Sequence, residues 1–276
     1  MKKHYKRVLT IAGSDPSGGA GIQADLKTFS ACGCYGMSAI VAVVDENTVG
    51  VTGVHPVPVD FVTGQIRSVL DDIGADAVKI GMLHSSELIR AVRETLAAYD
   101  IRNIVLDPVM VATSGDRLLQ EEAIATLQEE LVPFVRVITP NIPEAEILLG
   151  RKIAGQEELP QVARELSFGR KVSVLLKAGH LHDTELIDVF YNAETDKATP
   201  LRSMRLDTPN THGTGCTLSS AIACYLAQGC ELVDAVKRAK FYLTQALAHD
   251  LQLGSGHGPV NHGWHLDTVI DDKLPG

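Results

Sequence analysis

The sequence predicts an α/β protein in which helices cover both faces of a mostly parallel central sheet. Short runs rich in β-branched residues, each bounded by turn residues, alternate along the 276-residue chain with longer stretches of helical periodicity. This alternation is typical of βαβ units, whose crossover helices pack on the two faces of a parallel sheet. We therefore expect the strands to be buried between two helical layers.

The predicted elements follow one another in a regular order. Buried strands are expected at residues 7–12, 77–81, 104–107, 136–139 and 172–177. Helical patterns lie around residues 19–31, 59–73, 85–99, 119–131 and 156–168, and two further helices are expected over 215–228 and 231–250, with Gly229 as a C-cap between them. Because no repeat, low-complexity tract or linker divides the chain, we expect a single domain over residues 1–276.

Composition and charge exclude several classes of partner. The formal net charge is -9, and the basic residues are dispersed beyond a short basic start at residues 2–7, which disfavours binding to nucleic acid or to anionic membranes. No apolar run approaches the roughly 18 to 20 residues that span a bilayer. The five cysteines lack CxxC spacing and suggest neither a disulfide framework nor a zinc site, so we expect a cytoplasmic protein.

Polar segments follow the predicted strands, where ligands of open parallel sheets bind. These segments comprise residues 13–21, 81–82, 107–108, 140–144 and 178–180, and we expect them to line one cleft. The glycine-rich loop 13–21 is neither GxGxxG nor a P-loop, which excludes a dinucleotide or Walker-type site. A surface turn with an N-cap is the alternative interpretation of this loop.

The segment 211–219, Thr-His-Gly-Thr-Gly-Cys-Thr-Leu-Ser, contains the strongest local signal for chemistry. Gly213 and Gly215 lead directly into a predicted helix, whose first turn offers unpaired N–H groups and the positive end of the helix dipole to an anion. The same position favours a thiolate, so we expect Cys216 to have a lowered pKa, suited to a base or a hydroxyl-orienting group. The alternative is a turn in which Cys216 merely packs.

Two carboxylates and two lysines are further candidates. Asn141 and Glu144 follow a predicted strand and offer oxygens suited to hydrated Mg²⁺, with Asp107 as a second carboxylate. An N-cap with a dipole-complementing Glu is the alternative for the first pair. Lys177, which ends a buried strand, and Lys240 in the final helix are candidate phosphate partners, although isolated lysines are usually solvated.

Five motifs together resemble one known family. Residues 12–25, 107–116, 140–144, 212–216 and 256–262 resemble, in the same order, the bacterial hydroxymethylpyrimidine/phosphomethylpyrimidine kinases of thiamine synthesis, and the match covers nearly the whole chain. The resemblance implies the ribokinase-like fold and a homodimer. It also implies ATP-dependent phosphorylation of 4-amino-5-hydroxymethyl-2-methylpyrimidine and then of its monophosphate, with ATP and Mg²⁺ as cofactors.

The resemblance also implies roles for individual residues. Gly213 and Gly215 would form the anion hole for the γ-phosphate, while Cys216 would activate the substrate hydroxyl. The nucleotide and its metal would be held by Asn141, Lys177, Thr214 and Lys240 together with the metal ligands Glu144 and Asp107. The substrate pocket would use Gly13, Asp25, Val44, Glu46 and Met82. Within that pocket, Glu46 would pair with the aminopyrimidine edge.

Alternatives to this function remain open at the level of sequence. The wider superfamily usually carries Asp at the position of Cys216, whereas cysteine indicates the pyrimidine kinases and their vitamin B6 kinase relatives. The B6 branch is associated with an extra cysteine in a lid segment, which here spans 111–116 and contains none. Asp45 and Glu46 replace a more neutral family segment, which bears on substrate preference. A pyridoxal or pyridoxine kinase and a non-catalytic nucleotide- or heterocycle-binding protein are the two other hypotheses.

Overall fold

The computed structural model describes residues 5–110, 119, 121–179, 184–249 and 251–266. Ten strands lie in these ranges: β1 (Arg7–Ala12), β2 (Tyr35–Ile40), β3 (Ala42–Glu46), β4 (Val51–Pro56), β5 (Ala77–Ile80), β6 (Ile104–Leu106), β7 (Val137–Ile138), β8 (Ser173–Leu176), β9 (Glu185–Asn192) and β10 (Lys197–Met204). Eight of them form one sheet in the order β10-β9-β8-β7-β6-β5-β1-β2. In this sheet the strands β2, β1, β5, β6, β7 and β8 run parallel to one another, whereas β9 and β10 are antiparallel additions at one edge.

All five predicted strands are confirmed, and five further strands were not predicted. The antiparallel hairpin of β3 and β4 forms a separate two-stranded sheet, and β2, β9 and β10 complete the edges of the main sheet. Strands β2 and β3 alternate in burial, and β4 and β10 are largely exposed, so these four lack the continuous apolar runs that identified the central strands. Strand β9 does bury a run, at residues 188–191, but the acidic residues Glu185 and Asp188 interrupt its apolar pattern.

The helices are α1 (Gly21–Ala31), α2 (Val59–Asp72), α3 (Ser86–Leu96), α4 (Glu121–Thr126), α5 (Ile142–Leu149), α6 (Leu159–Glu165), α7 (Thr214–Ala227) and α8 (Leu232–Ala248). The pattern predicted over 119–131 contains α4 and then a π-helical turn, Leu127–Leu131. The pattern at 156–168 begins with a 3₁₀ turn, Gln156–Glu158. Gly229 follows α7 with a φ of +87°, as a glycine C-terminal to a helix should.

The two faces of the sheet carry separate hydrophobic cores, which confirms the expected helices on both faces. Helices α1, α7 and α8 pack on one face, and α2, α3, α5 and α6 pack on the other. Because side chains alternate across a strand, Val8 faces α7 while Leu9 faces the opposite core. The same alternation directs Lys79 and Asp107 toward the α7 side. Polar groups thus come to lie beneath the start of α7.

Within the described ranges, no helix is long and apolar enough to cross a bilayer.

Candidate active site

A cavity of about 530 Å³ opens at the carboxyl ends of the parallel strands and reaches the first turn of α7. The predicted cleft is therefore present. It is lined by thirteen of the fourteen candidate residues, namely Gly13, Val44, Glu46, Met82, Asp107, Asn141, Glu144, Lys177, Gly213, Thr214, Gly215, Cys216 and Lys240. Asp25 is the exception.

We distinguish two walls of this cavity by the residues that form them. The β1 wall consists of Gly13, Val44, Glu46 and Met82. The β8 wall consists of Asn141, Lys177, Asp188 and Lys240. The start of α7 also lines the cavity.

The first turn of α7 depends on two glycines. Gly213 is the N-cap, with a φ of +78°, and a Cβ there would lie 1.7 Å from the carbonyl oxygen of Gly19. A Cβ at Gly215 would lie 3.0 Å from Asp107 Oδ2 and 3.3 Å from Lys177 Nζ. Gly213 thus allows the loop 13–21 to pack against the helix start, and Gly215 lets a charged pair approach it closely.

Cys216 is partly buried in this first turn. Burial raises the pKa of Cys216 to about 11. The positive charge of Lys79 acts to lower this pKa, but the carboxylates of Asp25 and Asp107 oppose that effect. The expectation of a lowered pKa was therefore wrong. The sequence revealed the helix terminus, but it could not reveal the burial and the two carboxylates that outweigh it.

Asp25 lies behind the cavity and is not among its lining residues, so its contact with the substrate stays a prediction. Its carboxylate is fully buried and accepts hydrogen bonds from Thr10 Oγ1 at 2.6 Å, Lys79 Nζ at 2.9 Å and Ser220 Oγ at 2.7 Å. These bonds connect β1, β5 and α7 through one carboxylate. Because Ser220 lies one helical turn after Cys216, the network fixes the part of α7 that carries the thiol.

The β1 wall is apolar over most of its area. A Cβ at Gly13 would lie 3.0 Å from the Met82 side chain and 3.6 Å from that of Val44, so both side chains lie close to Gly13. Glu46 ends β3 at an irregularity in the pairing with β4 and brings a carboxylate to this wall. The wall therefore combines apolar side chains with one hydrogen-bonding group.

Asn141 and Glu144 form a capping box at the start of α5. Asn141 Oδ1 accepts the Glu144 N–H at 2.9 Å, and Glu144 Oε2 accepts the Asn141 N–H at 2.8 Å. The structural alternative considered for this pair is thus realised, while both residues still line the cavity. Burial raises the pKa of Glu144 to about 7, since nearby Lys177 lowers it only in part and Asp107 raises it further.

Both candidate lysines are engaged in ion pairs at the cavity surface. Lys177 Nζ donates to Asp107 Oδ1 at 3.1 Å, and Thr139 Oγ1 donates to the same oxygen at 2.9 Å. Lys240 donates to Asp188, whose other oxygen accepts the Ala178 N–H at 2.7 Å. Each carboxylate therefore has a second donor besides its lysine.

Among the cavity residues to which sequence reasoning assigned no site role are Asp15, Lys79, Asp188 and His212. Lys79 is fully buried in the middle of the apolar strand β5, and a lysine in such a run was a signal that could have been used. Asp188 and the contact between Asp15 and His212 had no comparable local signal. The lid segment 111–116 lies outside the described residues.

The fold and the cavity define a phosphotransferase of the ribokinase-like fold. The structure is similar to the crystal structure of phosphomethylpyrimidine kinase from Clostridium difficile, with a TM-score of 0.76, 44% identity and coverage of 87% of this chain and 99% of that one. It is also similar to pyridoxal kinase from Staphylococcus aureus in complex with ADP, with a TM-score of 0.86, 35% identity and 95% coverage of both chains.

Sequence comparison defines the family more closely. The family model described as Phosphomethylpyrimidine kinase matches residues 15–261, and the chain belongs to this family. The hydroxymethylpyrimidine/phosphomethylpyrimidine kinase of Rhizobium meliloti is 49% identical over 92% of this chain and 96% of its own length. The thiamine biosynthesis bifunctional protein ThiED of Geobacter sulfurreducens is 48% identical over 96% of this chain, which spans only 54% of that longer protein.

Proposed function

We propose that this chain transfers the γ-phosphoryl group of ATP to the hydroxyl of 4-amino-5-hydroxymethyl-2-methylpyrimidine and then phosphorylates the resulting monophosphate to the diphosphate. The position of Cys216 carries the proposal. This thiol lies in the first turn of a glycine-started helix that lines the same cavity as the apolar β1 wall and the lysine-bearing β8 wall. The names of the Rhizobium relative and of the family model support the choice of substrate.

On the acceptor side, Gly13, Val44 and Met82 would pack against the flat ring, and Glu46 would accept a hydrogen bond from its exocyclic amine. An apolar wall with one carboxylate suits a small aminated heterocycle. Cys216 would then orient the hydroxymethyl oxygen toward the phosphate.

On the phosphate side, the N–H groups of the first turn of α7 would stabilise the transferring group, with Gly213 and Gly215 allowing its close approach. Lys177 and Lys240 would bind phosphate oxygens, and Asn141 and Thr214 would complete the nucleotide site. The S. aureus relative was solved with ADP, which supports nucleotide binding in this cavity.

Mg²⁺ fits the carboxylates of the cavity. Asp107 and Glu144 are buried carboxyl groups on its wall, and the raised pKa of Glu144 reflects a charge that burial leaves undercompensated. Hard oxygen donors of this kind suit Mg²⁺ held by one or two carboxylates. When bound, the ion would neutralise phosphate charge, and Asp107 and Glu144 are the residues that would hold it.

In the transfer, the acceptor oxygen forms a bond to the γ-phosphorus while the bond to the β-phosphate oxygen breaks and ADP departs. A thiol with a pKa near 11 is mostly protonated at neutral pH, so only a small thiolate fraction is available to accept the hydroxyl proton. A loose phosphoryl-transfer transition state draws its acceleration mainly from positioning and charge stabilisation. Orientation of the hydroxyl is therefore the main contribution assigned to Cys216.

A pyridoxal kinase is the second candidate, favoured by the similarity to the S. aureus enzyme. ATP consumption by the purified protein should be followed with hydroxymethylpyrimidine, its monophosphate and pyridoxal offered separately. We expect both pyrimidines to be phosphorylated with higher kcat/KM than pyridoxal. Efficient turnover of pyridoxal alone would establish the second candidate, and absence of turnover with all three would favour a binding protein.

We also propose that the chain forms a homodimer. Large apolar side chains are exposed on the β3–β4 hairpin and on neighbouring α2, including Val43, Val49, Val54 and Phe61, and contact between two copies would bury them. Light scattering coupled to gel filtration should give about twice the mass of 29.6 kDa. A monomer mass at micromolar concentration would contradict the proposal.

The cytoplasm is the proposed location. All five cysteines lie within the described residues and are free, which suits a reducing compartment. Fractionation of cells that express the tagged chain should recover it with cytoplasmic markers.

A further inference from the structure

Next to Glu46 lies a buried pair, Asp15 and His212, which the proposed function does not use. Both residues line the cavity and are almost completely buried, at 1% and 4% exposure. His212 Nε2 lies 2.8 Å from Asp15 Oδ2 and 4.0 Å from Glu46 Oε1. One imidazole nitrogen thus lies close to two carboxylates, of which only Glu46 belongs to the β1 wall.

Asp15 is held in place by the loop that carries it. Its carboxylate accepts the backbone N–H groups of Ser17 at 2.8 Å, Gly19 at 3.0 Å and Ala20 at 2.6 Å. Burial acts to raise the pKa of Asp15, but the hydrogen bonds from His212, Ser17 and Ala20 hold it well below its usual value. Asp15 is therefore a fixed anion, and the nitrogen that faces it must donate a hydrogen.

His212 is favoured as an imidazolium by these neighbours. Burial lowers its pKa, yet the hydrogen bond to Asp15 and the charges of Asp15 and Glu46 together raise the pKa above its usual value. His262 is a further titratable group near His212, and its pKa is lowered to about 4 by burial and by the charges of Lys27 and His212. His262 is therefore neutral near pH 7 and does not oppose the charge on His212.

The positive charge of His212 beside Glu46 affects which ring substituents this wall can bind. An ionised carboxylate can only accept hydrogen bonds, whereas a protonated carboxyl or an amide can also donate. An imidazolium 4.0 Å away attracts the Glu46 carboxylate and favours one position of it on the wall. A ring bound against it must then present a donor.

We infer that His212, anchored by Asp15, is a specificity-determining positioning residue that keeps Glu46 as a fixed, acceptor-only carboxylate. The site thereby selects heterocycles with an amino donor next to the hydroxymethyl group. It disfavours pyridoxal, which carries an aldehyde acceptor at the adjacent position. The inference rests on the proposed function, since it assigns Glu46 to the ring edge.

A double-mutant cycle tests whether His212 acts through Glu46. His212→Gln retains a donor toward Asp15 but can carry no charge. Glu46→Gln retains an amide oxygen as acceptor but has no negative charge for the imidazolium to attract. In the wild-type background, His212→Gln should raise KM for the aminopyrimidine about tenfold, the loss expected for a charge-assisted hydrogen bond, with kcat and the KM for ATP within about threefold. The preference for the aminopyrimidine over pyridoxal should shrink by a similar factor.

In the Glu46→Gln background, the same His212→Gln change should alter KM less than about twofold, because the partner of the imidazolium is gone. An equal effect in both backgrounds, or a parallel loss of kcat and ATP affinity, would overturn the inference. Thermal unfolding of each variant identifies any that fail to fold.

A second measurement leaves residue 212 unchanged. Nuclear magnetic resonance titration of the wild-type chain and of Glu46→Gln should show that the assigned His212 ring has a lower pKa in the variant, because the charge of Glu46 favours the imidazolium. An unchanged His212 pKa would overturn the inference, whether or not His212→Gln folds. A wild-type chain that phosphorylates no aminopyrimidine would instead refute the proposed function, so the two failures are distinguishable.

Discussion

The two walls of the cavity hold their charges in different ways. Around the β1 wall, the buried carboxylates are held by several donors. Asp25, behind the wall, accepts from three side chains, and Asp15, beside it, accepts from three backbone N–H groups and His212. On the β8 wall, Lys177 and Lys240 each make one ion pair, and their side chains remain about 15% exposed. One wall is fixed, and the other presents lysines that can exchange partners.

This difference matches what each wall would have to do. A wall that recognises a small ring gains specificity when its polar groups cannot rearrange. A wall that binds and releases a nucleotide in every cycle needs lysines that can leave their carboxylate partners and bind phosphate instead. Asp107 and Asp188 meet this need, because Thr139 and the Ala178 N–H still donate to them when the lysines turn toward phosphate.

The largest effect is expected where the two walls meet. Cys216→Ala should lower kcat about 10²-fold, the loss expected when the acceptor hydroxyl is no longer held in position. The KM for ATP should change less than about threefold, because the thiol is assigned to the acceptor. Steady-state kinetics checks both values.

Cys230→Ala is the matched control, since Cys230 lies in the turn between α7 and α8 and is not among the lining residues of the cavity. It should leave kcat unchanged. If Cys216→Ala also retained wild-type turnover, the thiol would have no part in the transfer.

The fixed character of the β1 side can be tested through stability. Lys79→Met removes one partner of a fully buried ion pair and leaves the Asp25 carboxylate uncompensated, so the free energy of unfolding should fall by about 3–5 kcal/mol. Denaturant titration measures it. Arg202→Met is the control, because the Arg202–Glu185 pair is exposed and contributes at most about 1 kcal/mol. Equal losses in both variants would show that burial does not distinguish the pairs.

The central part of the fold and most of the site could be predicted from the sequence because their signals are local. Apolar strand runs, and the two glycines before Cys216, lie within a few residues of the feature they specify. Contacts between distant residues gave no such signal. Lys79 meets Asp25 from 54 positions away, and His212 meets Asp15 from 197 positions away.

The same limit applies to Asp25 and Cys216. Asp25 belongs to the motif 12–25, but its burial depends on contacts with β5 and α7, which lie far away in the sequence. The pKa of Cys216 is set by burial and by Asp107, neither of which a helix-start pattern can report. The sequence could therefore place these residues near the cavity, but it could not give the protonation state of Cys216.

Glu144 provides a test of the β8 side through pH. Its folded pKa of about 7 exceeds the ordinary value near 4.5, so the folded state binds this proton more tightly than the unfolded state. The burial penalty is absent below about pH 4.5, grows between pH 4.5 and 7, and is constant above, where it reaches at most about 3 kcal/mol. Glu144→Gln should therefore raise the melting temperature relative to wild type more at pH 8 than at pH 4.5.

The same variant should lose most of the stabilisation that ATP with Mg²⁺ gives the wild-type chain at pH 8, because a carboxylate ligand is missing. Asn192→Ala, at the end of β9 and away from the cavity lining, is the control and should retain that stabilisation. A difference in melting temperature between Glu144→Gln and wild type that does not change with pH would mean that burial does not raise the pKa of Glu144.

The smallest effect is expected for a lysine that exchanges partners. Lys240→Met should raise the KM for ATP about tenfold, which corresponds to loss of one charged hydrogen bond to phosphate, while kcat for the acceptor stays within about threefold. Lys237→Met, on the exposed side of the same helix, should change neither value. Because Asp188 keeps the Ala178 N–H, the loss of stability should be smaller than for Lys79→Met. A stability loss as large as that of Lys79→Met, with an unchanged KM for ATP, would place Lys240 among the fixed charges and remove the distinction between the walls.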